Sequence, residues 1–419
     1  MEPTLSSGRP AASRLQSLGP GLIMAAAAVG ASHLVASTQA GALFGWQLLW
    51  LVLLVNVLKY PFFRFGVQYT MNHGASLMEG YLRKGRAWLI AFTALNLIAA
   101  VVNTAAVLLL TANLLAFFMP GNLSVTLLCV LLLVLCLGIL LGGHYRLLDS
   151  IAKVIMFLLS VATVIAVIIA WGNGARAAPD FSGPSPWQLS MLAFLVAMIG
   201  WMPVPIELSA INSMWLRSKQ RLLNISPAQA LFDFNLGYWM AVVLALVFLS
   251  LGALIQYGTE QEIAMAGAAF TQQLVAMYSA TIGDWSELLV AFIAFMCMFG
   301  TTLAVMDGYA RTLEESFHLL RSEPELPDHQ RRRRLAVWIT GQALAGMMII
   351  LFFQSALSPM LTFAMTLAFV TTPFFAWLNF SLVREDRGAI NGGMRLLAWA
   401  GLVYLGAFSL FYVVWWLAT

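Results

Sequence analysis

The sequence predicts an all-α integral membrane protein of eleven transmembrane helices, with the first and sixth broken near mid-membrane. Three observations carry this prediction. Hydrophobic residues make up 61% of the 419 and charged residues only 10%, with a mean hydropathy of +0.85, far from the balance of a soluble domain. The apolar residues cluster in stretches of roughly 20, the length that crosses about 30 Å of hydrocarbon. Two of these stretches are interrupted, by Gly30-Ala31-Ser32-His33 and by Gly200-Trp201-Met202-Pro203-Val204-Pro205-Ile206-Glu207.

After a polar tail at 1–17, which lacks a signal-peptide cleavage pattern, the first span covers 18–44 and contains the first break. The second, 47–70, carries Lys59 and Arg64, expected to snorkel to the inner interface. The third, 87–119, offers Asn96 and Asn103 as its polar groups, and the fourth, 125–141, holds Cys129 and Cys136. With Cys297, these cysteines read as small buried hydrophobes, not as a disulfide framework or metal site. The fifth span, 147–171, opens with Arg146 and Asp149, an anchor or gate at the inner face. The sixth, 187–216, contains the second break. The remaining spans are 231–257, 285–313, 335–357, 359–383 and 395–417. Segment 262–279 has the composition of an outer surface helix, and 318–334, rich in Pro, Glu and Arg, that of a flexible inner loop.

Loop charge orients the chain. With the N-terminus cytoplasmic, Arg83, Lys84, Arg86, Lys153, Arg217, Lys219, Arg221, Arg331-Arg332-Arg333-Arg334, Arg384 and Arg387 all fall inside. Glu260, Glu262, Asp284 and Glu287 fall outside, as does the C-terminus. This follows the positive-inside rule and makes the net charge of +4 a topology signal, not a nucleic-acid surface. The expected location is a bacterial inner (plasma) membrane, with the lipid bilayer as the surrounding partner; the sequence does not fix the oligomeric state, and a monomer is compatible with it.

Function must lie in the helix bundle, because no soluble domain, phosphate loop, CxxC pair or Ser/His/Asp constellation is present. The chain is therefore not expected to be an enzyme or to hold a cofactor. Polar residues inside a membrane are costly and tend to be functional. Two interrupted helices in corresponding halves point to a substrate site between them. The candidate site is Gly30, Ala31, Ser32, His33, Trp201, Val204 and Glu207, with His33 and Glu207 as metal ligands. Thr301 and Thr302 in span eight, Asp307 and Asp149 are candidates for a coupling-ion site or gate. Each also has a structural reading: helix packing for the threonines, an i, i+4 pair with Arg311 for Asp307, and a hydrogen-bonded core group for His33 or Glu207.

Leu18-Gly19-Pro20-Gly21-Leu22, Gln39-Ala40-Gly41-Ala42 and Gly45-Trp46-Gln47-Leu48-Leu49-Trp50 resemble the opening of Nramp metal-ion transporters, the natural-resistance-associated macrophage protein relatives. The resemblance implies the leucine-transporter fold, an inverted repeat of two five-helix units here at 18–171 and 187–383, with an eleventh span at 395–417. It also implies divalent metal transport. The residues depart from the family pattern. Where the family has Asp-Pro-Gly-Asn, this chain has Gly30-Ala31-Ser32-His33. Where the family has Met-Pro-His-Asn, it has Val204-Pro205-Ile206-Glu207, or Met202-Pro203-Val204-Pro205 on the alternative anchor. Replacing a thioether by carboxylate and imidazole shifts preference toward Mg²⁺ or Mn²⁺. Missing charges in spans three and six leave few groups for a proton relay. The leading expectation is divalent-cation transport by alternating access. The alternative is an ion-coupled carrier, with Na⁺ as the candidate coupling ion, of a small polar organic solute; a receptor is disfavoured.

Overall fold

A computed structural model describes residues 17–418 except 120–122, 144, 179, 260–262, 265, 266, 325, 353–356 and 385–389, with backbone alone at 145–153, 156, 267, 268, 357 and 358. Among the described residues seven helices are long and apolar enough to cross a membrane, or eight if the bent pair Pro20–Ala28 and Ser32–Phe44 forms one span. Three shorter apolar helices, Val125–Leu141, Phe157–Asn173 and Leu189–Trp201, fall in the fourth, fifth and sixth predicted spans.

The first half-helix, α1 (Pro20–Ala28), starts with Pro20, whose missing N–H costs nothing at that position. It gives way to a π-helical turn at Ser32–Ser37 and then to α2 (Thr38–Phe44). The two halves meet at 45°. Wider π geometry leaves carbonyls short of donors, and nearby hydroxyls supply them: Ser37 Oγ donates to Ser32 O at 3.3 Å and Thr38 Oγ1 to His33 O at 3.2 Å.

Next come α3 (Leu49–His73), the short helix α4 (Leu77–Lys84), α5 (Arg86–Ala116), α6 (Val125–Leu141) and α7 (Tyr145–Asn173). Helix α4 begins with a reciprocal capping box between Ser76 and Glu79. The sixth predicted span is two helices, α8 (Leu192–Trp201) and α9 (Leu208–Gln220). Pro203 and Pro205 prevent a continuous ladder between them, since neither donates an N–H. The fold is completed by α10 (Pro227–Ile255), α11 (Gly267–Ile282), α12 (Glu287–Arg321), α13 (Asp328–Phe352), α14 (Leu357–Arg384) and α15 (Gly392–Ala418).

Helix α10 is the spine against which α1, the π turn and α2 pack. Their backbones touch through glycine: a Cβ on Gly41 would lie 1.9 Å from Leu249 O. Helix α8 is held against α14 the same way, a Cβ on Gly200 falling 1.9 Å from Met365 O. Small residues permit such approaches where lipid gives no hydrophobic drive. The segment expected to be a flexible inner loop is mostly helix: α12 continues to Arg321 and α13 begins at Asp328. Ion pairs hold it. Arg331 meets Glu315 at 3.2 Å and Arg334 binds Glu323, which keeps the Glu323 carboxyl below the usual carboxylate range.

Candidate functional site

The two breaks lie side by side in the bundle. Between them and helices α5 and α12 is a cavity of about 40 Å³, lined in part by Ala31, Ser32, Asn103, Trp201, Val204 and Thr301. That is room for a water molecule or two.

Glu207 occupies the N-cap position of α9 and is 1% exposed. Its Oε1 accepts a 3.1 Å hydrogen bond from Tyr309 Oη on α12, and Tyr309 Oη in turn accepts from Asn103 Nδ2 on α5 at 2.8 Å. Among the described residues, Glu207 Oε2, Asn103 Oδ1 and Trp201 Nε1 are buried with no hydrogen-bond partner. Two are acceptors and one is a donor. An unpaired buried polar atom costs about 1–3 kcal/mol; Asn103 and Trp201 line the cavity, and Glu207 adjoins it through Tyr309.

His33 is not among the residues that line the cavity. Its Nδ1 is 2.6 Å from Ala28 O and its Nε2 is 2.7 Å from Ala241 O on α10, while the ring edge packs on Phe248. Both ring nitrogens face backbone carbonyls, which leaves neither lone pair aimed at the cavity. The structure therefore does not bring His33 and Glu207 together as a ligand pair. Among the described residues no group of three or more His, Cys, Asp or Glu side chains is arranged to hold a metal. Ser32 bridges the breaks, its Oγ lying 2.5 Å from Ala28 O and 3.1 Å from Pro203 O.

Gly30 is where an acidic residue was expected to be missing, and the vacated space is filled. A Cβ there would sit 2.6 Å from Thr301 Oγ1 and 2.9 Å from its Cγ2. Thr301 donates to Cys297 O at 3.1 Å and lines the cavity. Thr302 belongs to the packing between α5 and α12, 2.9 Å from Thr111 Oγ1 and from Met298 O. Asp307 forms a two-pronged pair with Arg311 at 2.6 and 2.8 Å. The side chain of Asp149 lies outside the described residues.

Two residues of the site carry no signal that the sequence reading used. Lys59, expected to snorkel, is fully buried: its ammonium donates to the carbonyls of Ile199, Gly200 and Met202 at 2.6, 3.1 and 3.0 Å. Its position mid-helix, away from either predicted span end, was the available hint. Asp233 on α10 receives Gly19 N at 2.8 Å and Gly21 N at 2.7 Å, gripping the start of α1. Helix N-termini expose such donors and favour an acidic partner.

At one end of the bundle Arg217 on α9 meets Glu79 at 3.0 Å and Glu315 at 3.2 Å. Together with Arg331 they link α4, α9, α12 and α13.

The sequence profile of the family described as natural resistance-associated macrophage protein-like matches residues 21–415. An uncharacterized protein of Pasteurella multocida is 49% identical over 404 residues, covering 96% of this chain and 92% of its own. Among solved structures, a mutant of the Eremococcus coleocola manganese transporter superposes with a TM-score of 0.70 at 13% identity, covering 98% of this chain and 90% of its own. Mhp1, a nucleobase-cation-symport-1 family transporter, superposes with a TM-score of 0.59 at 15% identity, covering 94% and 84%. At these identities the structural likeness establishes the fold.

Proposed function

The chain belongs to the natural resistance-associated macrophage protein-like (Nramp) family, and from that premise we propose that it is a secondary transporter carrying a divalent cation between its two broken helices by alternating access. The supporting observation is Glu207 Oε2, a buried carboxylate oxygen without a partner at the α8–α9 break. Oxygen donors without a thioether favour Mg²⁺ or Mn²⁺ over softer metals. One carboxylate cannot complete a coordination shell, so the cation keeps several waters, as Mg²⁺ commonly does. Proton coupling has little to work with, because Asn96 and Asn103 on α5 bind Thr312 and Tyr309 and carry no charge.

A second reading rests on Trp201 Nε1, an unpartnered buried donor at the same cavity. An indole N–H cannot ligate a metal, whereas beside Glu207 and Asn103 it suits a small organic solute bearing both a donor and an acceptor.

Uptake into proteoliposomes separates the two. Expected are Mg²⁺ or Mn²⁺ influx that does not respond to an imposed proton gradient, and a drop on the order of tenfold or more in Glu207→Gln. Absence of flux for Mg²⁺, Mn²⁺ and Ca²⁺ alike overturns the cation reading and leaves the solute carrier.

A further inference from the structure

Breaking a helix inside a bilayer frees carbonyl oxygens that must find new donors. In transporters with discontinuous helices, such half-helix C-terminal carbonyls are the groups that coordinate coupling cations. Here the donors come from the chain itself. At the end of α1, Ala28 O faces Ser32 Oγ at 2.5 Å and His33 Nδ1 at 2.6 Å. At the end of α8, carbonyls of Ile199, Gly200 and Met202 converge on one ammonium, Lys59 Nζ, at 2.6, 3.1 and 3.0 Å. An ammonium has three N–H donors, so this cradle uses all of them. The cradle also sits at the negative end of the α8 dipole, where a cation is stabilised. Lys59 is 0% exposed and reaches the cradle from α3, a different helix from either break.

We propose that the Lys59 ammonium is a resident cation, tethered to the chain, that fills the carbonyl cradle at the end of α8 in place of a free monovalent ion. The interior then carries a positive charge on α3 against the Glu207 carboxylate before any cargo arrives. No alkali ion is needed to hold the break in shape, and the freed carbonyls are withdrawn from the cargo. What remains for the cargo is the unpartnered set of Glu207 Oε2, Asn103 Oδ1 and Trp201 Nε1. The proposal concerns the same site as the transport reading but needs no cargo, so either can fail without the other.

Thermal unfolding of the purified full-length protein in detergent tests it, in choline, sodium and methylammonium chlorides at equal ionic strength. The wild type is expected to melt at one temperature in all three. Lys59→Ala, which opens the cradle, should melt lower in choline by on the order of 5 °C or more and regain part of that in sodium or methylammonium. Lys59→Gln, a neutral donor, should melt below the wild type and gain less from the cations than Lys59→Ala. Three results overturn the proposal: a Lys59→Gln protein as stable as the wild type, a folded Lys59→Ala protein indifferent to the cation present, or a wild type stabilised by sodium over choline. If Lys59→Ala yields no folded protein, Lys59→Gln and the wild type still decide it.

Discussion

At Gly30 the departure from the family pattern is more than a missing carboxylate, because a neighbour has taken its room. Thr301 Oγ1 and Cγ2 lie where any side chain at Gly30 would begin. Thr301 Oγ1 is held by Cys297 O one turn back, so a retreat to another rotamer would strain or give up that hydrogen bond. Gly30→Asp should therefore destabilise the protein by about 1–3 kcal/mol from overpacking alone, with a further cost for burying a new charge. Restoring the family's acidic residue should not by itself create tighter divalent binding. Thermal unfolding together with calorimetric titration against Mg²⁺ and Mn²⁺ checks both halves, and a stable Gly30→Asp protein with a new high-affinity site would refute them. His33 shows the same principle from the other side. An intramembrane histidine was the strongest polar signal in the first span, yet its nitrogens serve Ala28 O and Ala241 O.

Among the elements, the half-helices matter most, and they are positioned by close backbone contact. Helix α8 is pinned to α14 at Gly200, where no Cβ fits against Met365 O. Gly200→Ala should force the two helices apart and lower stability by about 1–3 kcal/mol, although alanine is the better helix former by about 1 kcal/mol. A lower melting temperature is the expected result; an unchanged or raised one would mean that propensity outweighs the contact. Any such shift also moves the carbonyls of Ile199 and Gly200 that Lys59 binds. The start of α1 is held differently, by the Asp233 carboxylate on the Gly19 and Gly21 amides and by Lys219 on Leu18 O at 2.6 Å.

On the scale of the whole molecule, a charged network centred on Arg217, Glu79, Glu315 and Arg331 ties four helices together at one end of the bundle. Arg217 is partly solvated, with 22% of its side chain exposed. Partly exposed pairs of this kind contribute little to stability, about 0–1 kcal/mol. Their larger effect would be on which side of the bundle is open. Arg217→Ala should leave the melting temperature nearly unchanged while raising the rate at which a water-soluble thiol reagent modifies Met214→Cys in the cavity that Met214, Arg217 and Arg331 line. Cys129, Cys136 and Cys297 are buried and give a low background. Equal labelling rates with and without Arg217 would rule out a gating role.

The sequence by itself determined the class of the molecule, an all-helical membrane protein, and marked the two apolar stretches whose helical run is interrupted. Hydropathy, proline and glycine act locally, and a bilayer makes a helix nearly obligatory wherever the chain is apolar. It also singled out Glu207 as a candidate, on the anchoring of the interrupted segment at Pro205, while a structural carboxyl remained the other reading. Only the tertiary structure decided what each polar group faces. Whether His33 meets the cavity or α10, whether Lys59 reaches an interface or a cradle of carbonyls, and whether Gly30 leaves a gap are matters of distance between segments far apart in the chain. Lys59 and Gly200 are 141 residues apart, yet 3.1 Å separates the ammonium from the carbonyl. Charge, size and hydrogen-bonding capacity are written in the sequence, but the partner that uses them is chosen by packing.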